Sequence, residues 1–303
     1  MKHLLTMQEL SEQDIYEILD LAETYKYELK KNIRHTKRLD NKILGMLFMK
    51  SSTRTRISFE AGIYQLGGHP MFCSSADLQI GRGEPIKDTA RVLGRYVDGI
   101  MIRTFKHTDV EEFAEYSGIS VINGLTDYAH PCQILADLLT IREYKKSFAG
   151  LNFTYIGDGN NMANSFIAGM LKVGMNVRIA TPKGYEPDEK ILDFAKGYGD
   201  SFLLTDDIKA ASIDADVITT DVWASMGMES EIVQRKLDFK GYQINEKLME
   251  ITNKDCMILH CLPAHKGEEI TEDVFEGHAN EIFDEAENRL HAQKAVLYLT
   301  MGH

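Results

Sequence analysis

Apolar residues recur at Ile15, Ile18, Leu19 and Ala22, the spacing of one buried helical face, and Ser11 followed three positions later by Asp14 marks where that helix starts. An amphipathic helix is therefore expected to open the chain. After it, short apolar runs alternate with helical patterns: ILGMLFM precedes RISFEAGIYQL, DGIMI precedes DVEEFAEYSG, and SVINGL precedes HPCQILADLLTIREYKK. Each run is too short for a helix and each is followed by a segment of helical period. That is the rhythm of βαβ units, and it predicts a mainly parallel sheet flanked by helices.

The rhythm restarts after Ser147-Phe148-Ala149-Gly150, where LNFTYIGDGNN leads into SFIAGMLKVGM and NVRIATP into DEKILDFAKGYG, followed by DVITTDVW and CMILHCLP. A chain of 303 residues exceeds what one hydrophobic core usually serves. Two α/β domains are expected, 1–146 and 147–285, with the last segment, about 286–303, forming a helix that packs back on the first. No short-period repeat interrupts this organisation.

Open α/β sheets bind ligands outside the carboxyl ends of their strands, so the residues after each apolar run are the candidates for chemistry. In the first half they are Ser52, Thr53, Arg54 and Thr55, then Arg103 and Thr104, then His130 to Gln133. In the second they are Asp158 to Asn161, Asp221 to Gly227, and His260 to Pro263. The two sets are expected to meet across a cleft.

Composition narrows the function. Hydrophobic residues make up 44% and charged residues 26%, an ordinary folded chain, and the net charge of −12 argues against a nucleic-acid partner. The start, MKHLLTMQELSEQD, turns polar too soon for a signal segment, and no apolar run approaches the ~20 residues of a membrane span. Neither export nor membrane insertion is expected. Cys73, Cys132, Cys256 and Cys261 form no CxxC pair, which points away from zinc or a disulfide framework and towards a reducing, cytoplasmic setting. Cys261, beside His260 in HCLPAH, is open between a reactive thiol or metal ligand and an inert buried cysteine.

The stretch SSTRTR, where a strand hands over to a helix, suits an oxyanion, because helix N-terminal N–H groups are unpaired and the macrodipole favours negative charge. A capped helix start with a solvated basic turn is the alternative. Arg54, Arg103 and the helix start at His130 suit a phosphate and a polarised carbonyl. Asp221, Asn161 and Ser225 suit an ammonium and a carboxylate. An anionic electrophile and an amino-acid-like nucleophile are implied. GDGNNMAN lacks the second and third glycines of a dinucleotide fingerprint, and no GxxxxGK[ST] occurs, so dehydrogenase and P-loop readings lose their support.

Five segments in order, SSTRTR, HPCQILADLLT, TDVWASMG, HCLPAHKGEE and FDEAENRLHAQKA, resemble the aspartate/ornithine transcarbamylase family, and in particular its ornithine-using members. The resemblance runs from about Leu44 to Leu299. One such motif is weakly specific; five in order are not. The resemblance implies a carbamoyl phosphate-binding domain at 1–146, completed by the C-terminal helix, and an ornithine-binding domain at 147–285. It implies transfer of a carbamoyl group from carbamoyl phosphate to the δ-amine of L-ornithine, giving L-citrulline and phosphate. It also implies a homotrimer or a multiple of trimers, and neither metal nor organic cofactor.

Residue by residue, Ser52, Thr53, Arg54 and Thr55 resemble the family's phosphate cradle. Arg103 resembles the bridge between phosphate and carbonyl, and His130 and Gln133 the holders of the carbamoyl oxygen and nitrogen. Gln79, in SADLQIGRGEP, matches a position that reaches a neighbouring subunit's site; otherwise it is an ordinary loop glutamine. The backbone carbonyls of Cys261 and Leu262 and the side chain of Arg289 resemble the remaining carbamoyl phosphate contacts, and Asn161, Asp221, Ser225 and Met226 the ornithine site. Arg103, His130 and Cys261 are the catalytic candidates. Charge stabilisation and alignment suffice for this reaction, since effective molarities reach about 10⁵ M or more, so Cys261 is not read as a nucleophile. Trp223 reads as a packing residue. A putrescine-using or aspartate-using relative, or a non-catalytic binding module on the same fold, are the alternatives. The last predicts a lost motif position, and none is missing.

Overall fold

The Ser11/Asp14 pair starts helix α1 (Glu12–Lys30) as a reciprocal cap: Asp14 N–H donates to Ser11 Oγ at 3.1 Å, and Ser11 N–H donates to Asp14 Oδ2 at 2.8 Å. Ile15, Ile18, Leu19 and Ala22 form its buried face. The computed structural model describes residues 1–33, 37–224 and 229–302. They divide into two compact units, one of Met1–Leu139 with the chain from Glu287 onward, the other of Thr140–Ala286.

The first unit continues with β1 (Ile43–Phe48), α2 (Thr53–Gln65), β2 (His69–Ser74), α3 (Ile86–Leu93), β3 (Gly99–Arg103), α4 (His107–Tyr116), β4 (Ser120–Leu125) and α5 (Pro131–Lys145). Its sheet has the order β2-β1-β3-β4 and every pairing is parallel. β1 and β3 are inside the sheet and almost wholly buried, which is why both read as unbroken apolar runs. β2 is an exposed edge strand without such a run, so apolar pattern does not reveal it; nor does it reveal α3. On the other edge, Leu4 pairs beside β4 through Leu4 N–H to Val121 O at 2.9 Å and Asn123 N–H to Leu4 O at 2.8 Å.

The second unit holds β5 (Asn152–Ile156), α6 (Asn161–Lys172), β6 (Asn176–Ala180), α7 (Glu189–Lys196), β7 (Phe202–Thr205), α8 (Ile208–Ser212), β8 (Val217–Thr220), α9 (Ile232–Asp238), α10 (Glu246–Met249), β9 (Met257–His260) and α11 (Glu272–Gly277). Its sheet, β7-β6-β5-β8-β9, is also parallel throughout. β7 is again a partly exposed edge that the sequence pattern passes over.

Helix α12 (Ala279–Met301) closes the chain. Its residues from Glu287 onward pack back on the first unit, as expected. Asn288 Oδ1 accepts from Lys26 Nζ at 2.8 Å, Gln293 Nε2 donates to Ser58 Oγ at 2.8 Å, and the Thr300 carbonyl accepts from Ser120 Oγ at 2.5 Å. No helix among the described residues is long and apolar enough to cross a membrane.

Candidate active site

In the first unit the strand order turns back between β1 and β3, so the crevice outside their carboxyl ends is where a ligand is expected. Phe48 ends β1 directly opposite Arg103, the last residue of β3. Four residues on, Ser52 caps α2, its Oγ accepting from Thr55 N–H at 3.2 Å, and the first turn of α2 carries no acidic side chain. The positive end of that helix dipole is thus not neutralised from within its own first turn.

Thr55 is the buried junction of this group. Its Oγ1 accepts from Arg103 Nη1 at 3.4 Å and from Arg289 Nη2 at 3.3 Å, both guanidiniums being under 5% exposed. Arg289, brought in by α12, also donates from Nη1 to Gln133 Oε1 at 2.6 Å and from Nε to Gln293 Oε1 at 2.9 Å. Gln133 Nε2 donates to Asp137 Oδ1 at 2.8 Å, which fixes the amide's orientation. α5 starts at Pro131, whose missing N–H costs nothing in a first helical turn, and this places His130 just before the helix. Burial, and then the positive charges of Arg289, Arg103 and Arg54, hold the His130 imidazole well below its ordinary pKa. A neutral imidazole offers one donor and one acceptor. Three guanidiniums converging on one neutral histidine suit a dianion carrying a carbonyl.

Thr55, Arg103, His130, Gln133 and Arg289 are therefore brought together, with Arg54 half-buried beside them and Thr53 exposed at the helix start. Gln79 is not in this group. It lies exposed at the start of the 3-10 turn Gln79–Arg82 and makes no hydrogen bond to these residues among those described.

The second unit repeats the logic with opposite charge. Its order turns back between β5 and β8, and the residues after those strands are Gly157 to Asn161 and Asp221. Gly159 N–H donates to Tyr185 O at 2.8 Å, and a Cβ on Gly159 would come within 2.3 Å of that same carbonyl oxygen, so only glycine fits. Asn160 caps α6, its Oδ1 accepting from Met162 N–H at 2.8 Å and Ala163 N–H at 3.3 Å, while its Nδ2 donates to Asp221 Oδ2 at 3.3 Å. Asp221 is buried and accepts also from Val222 N–H at 2.8 Å and Cys261 Sγ at 3.3 Å, both on Oδ1. Asn161 is the first residue of α6. Ser225 and Met226 lie outside the described residues. Trp223 is packed as expected, stacked on Phe239 with centroids 6.2 Å apart and donating from Nε1 to Tyr242 O at 3.2 Å.

Cys261 and Leu262 follow β9. Leu262 has φ 59°, a left-handed conformation rare for a branched side chain, and its N–H donates to His260 Nδ1 at 2.9 Å. His260 is held in turn by Glu269 Oε1, 3.0 Å from its Nε2, and by Glu285 Oε2, which accepts from its backbone N–H at 2.8 Å. The turn carrying the Cys261 and Leu262 carbonyls is thus fixed from below by a buried His–Glu pair.

Two family models divide the chain between them: the carbamoyl-P binding domain of aspartate/ornithine carbamoyltransferase matches residues 2–143, and the Asp/Orn binding domain matches residues 149–300. The chain belongs to the aspartate/ornithine carbamoyltransferase family. An ornithine carbamoyltransferase of Carboxydothermus hydrogenoformans is 53% identical over 99% of this chain and 98% of its own. One from Geobacter metallireducens is 52% identical over 98% of each. Among solved structures, the ornithine carbamoyltransferase from Pyrococcus furiosus superposes with a TM-score of 0.94 at 49% identity, over 99% of this chain and 97% of that one. An anabolic ornithine carbamoyltransferase from Campylobacter jejuni gives 0.92 at 45%, over 99% of each.

Within this carbamoyltransferase frame, the sequence does not single out Arg235, and it gives Asn160, which lies in the strand-end stretch Asp158 to Asn161, no role of its own. Two adjacent asparagines give no sign of which one caps the helix. Arg235 sits in a helical stretch without strand-end context, yet its Nη1 reaches Asp158 Oδ2 at 2.7 Å. One cluster among the described residues, His265, Glu268 and Glu269, has ligand atoms within 4.8 Å of one another that a cation could use. Lys236 Nζ, 2.6 Å from Glu268 Oε1, already supplies a positive charge there.

Proposed function

We propose that the chain transfers the carbamoyl group of carbamoyl phosphate to the δ-amine of L-ornithine, giving L-citrulline and phosphate. The observation that carries the reading is the meeting of Arg103 and Arg289 on Thr55 at the start of α2, in a chain 53% identical to an ornithine carbamoyltransferase. Ser52, Thr53, Arg54 and Thr55 hold the phosphate, with Arg103 between phosphate and carbonyl. His130, Gln133, Arg289 and the carbonyls of Cys261 and Leu262 hold the carbamoyl group. Attack by the neutral δ-amine forms the C–N bond, builds negative charge on the carbonyl oxygen and expels phosphate as the C–O bond breaks, the surplus proton of the amine nitrogen leaving with the phosphate. Fixed cations at that oxygen and at the leaving group stabilise the transition state more than the ground state.

Asp221 takes the α-ammonium of ornithine, together with Ser225; Asn161 and the Met226 N–H take its carboxylate. Putrescine has neither group. A site whose buried polar groups are left unpaired by an analogue rejects it by up to roughly 10⁴-fold. We place the enzyme in the cytoplasm as a homotrimer, with Gln79 reaching a neighbouring subunit's site; its four free cysteines agree with a reducing compartment. The test is a citrulline assay with phosphate release, run across amines. A large kcat/KM preference for ornithine is expected, falling sharply in Asp221→Ala. Equal use of putrescine would overturn the assignment of the acceptor.

A further inference from the structure

Arg235 is 6% exposed on α9 and ties together the segments that follow the adjacent strands β5 and β8 of the second sheet. Its Nη1 donates to Asp158 Oδ2 at 2.7 Å, two residues beyond β5, and to the Trp223 carbonyl at 3.0 Å, two residues beyond Asp221. Its Nε donates to Glu231 Oε2 at 2.8 Å, and the guanidinium lies over the Tyr185 ring, 5.0 Å from the centroid. A planar fork with several donors in fixed directions can hold a carboxylate and a carbonyl at once, which a point charge cannot.

The charges around it make the arrangement more than packing. Asp158 and Asp221 are both buried, at 6% and 8% exposure. Burial pushes the Asp158 carboxyl up, Arg235 pulls it down, and the charge of Asp221 pushes it up again. The hydrogen bonds to Asp221 come from neutral donors, namely Asn160, Val222 and Cys261, and it has no cationic partner among the described residues. The guanidinium is shared between buried Asp158 and the exposed Glu231, whose charge water screens, so both its ion pairs are taken and buried Asp221 is left without a cation of its own.

We propose that Arg235 is a positioning residue for the amine substrate: by neutralising Asp158 and pinning the Trp223 backbone, it leaves the carboxylate of Asp221 oriented by neutral donors and free of a cationic partner among the described residues, ready for one substrate ammonium. The proposal rests on the reading that Asp221 takes the ammonium of ornithine. Without the Arg235 charge, Asp158 draws the ammonium away from Asp221 or takes up a proton that alters the pocket. Without Asp158, the guanidinium competes with the substrate for Asp221.

The test compares Arg235→Met, Asp158→Asn, the double variant and Arg235→Lys, each checked for a cooperative thermal transition, by the KM for ornithine and the KM for carbamoyl phosphate. Either charge removal alone is expected to raise the ornithine KM by about tenfold or more, the scale of losing one charged interaction, with the carbamoyl phosphate KM changed less than about twofold. The double variant, with the charges balanced again, recovers most of the loss. Arg235→Lys keeps the charge without the fork and falls between wild type and Arg235→Met; it carries the comparison if the methionine variant does not fold. A rise of both KM values together, or a double variant no better than the worse single, makes Arg235 a structural residue and overturns the proposal. Wild-type enzyme that makes no citrulline defeats the underlying functional reading instead, and does so before any variant is compared.

Discussion

Thr55 Oγ1 takes hydrogen bonds from two guanidiniums at 3.4 and 3.3 Å, so the phosphate-suited group is preorganised before a ligand arrives. Preorganised donors cost no reorganisation during reaction, and removing one typically costs about 10²–10³ in kcat. Arg103→Ala is expected to lose turnover on that scale; near wild-type kcat in steady-state assays would remove Arg103 from the catalytic role. His130 carries a pH consequence. Its folded pKa is depressed, so below about pH 6.5, the ordinary histidine value, the unfolded chain takes up a proton that folded His130 refuses. Stability is therefore undiminished above that pH and falls as pH drops below it. Buried His291, pulled down to about 4, acts in the same direction. Urea titrations at stepped pH are expected to show a shallower acid loss in His130→Gln than in wild type.

Among the elements, two serine caps separate stability from function. Ser11 and Ser52 each cap a helix through their side-chain oxygen, and losing such a cap typically costs ~1 kcal/mol. Ser11→Ala is expected to lower the denaturant midpoint while leaving both KM values unchanged. Ser52→Ala is expected to lower it similarly and also to raise the KM for carbamoyl phosphate, because α2 starts at the proposed phosphate cradle. An unchanged KM in Ser52→Ala would place that hydroxyl outside the phosphate cradle. Elements were legible from sequence in proportion to their burial. β1 and β3 lie inside the first sheet and announce themselves as apolar runs, whereas the edges β2 and β7 bury too little to do so.

For the whole molecule, the exposed position of Gln79, apart from the Arg103 group, is what a residue serving another subunit's site requires. Light scattering is expected to give a mass near three chains. Mixing Arg103→Ala with Gln79→Ala subunits is expected to restore activity, since some shared sites then carry both lesions and others neither. No recovery on mixing, or a fully active monomer, would end the shared-site proposal.

The sequence by itself determined the parallel α/β character, the places where strands hand over to helices, and the residue types waiting there. Apolar period and helix caps are local signals, and the five ordered motifs tied them to one family. Only the tertiary structure decided that Arg289 meets Arg103 on Thr55, because those three residues are far apart in the chain and their meeting depends on α12 packing against the first sheet's helices. Only it decided that Asn160 rather than Asn161 caps α6, and that Arg235 closes on Asp158. Such pairings depend on the direction of each side chain and the register of each strand, which no short window of sequence encodes.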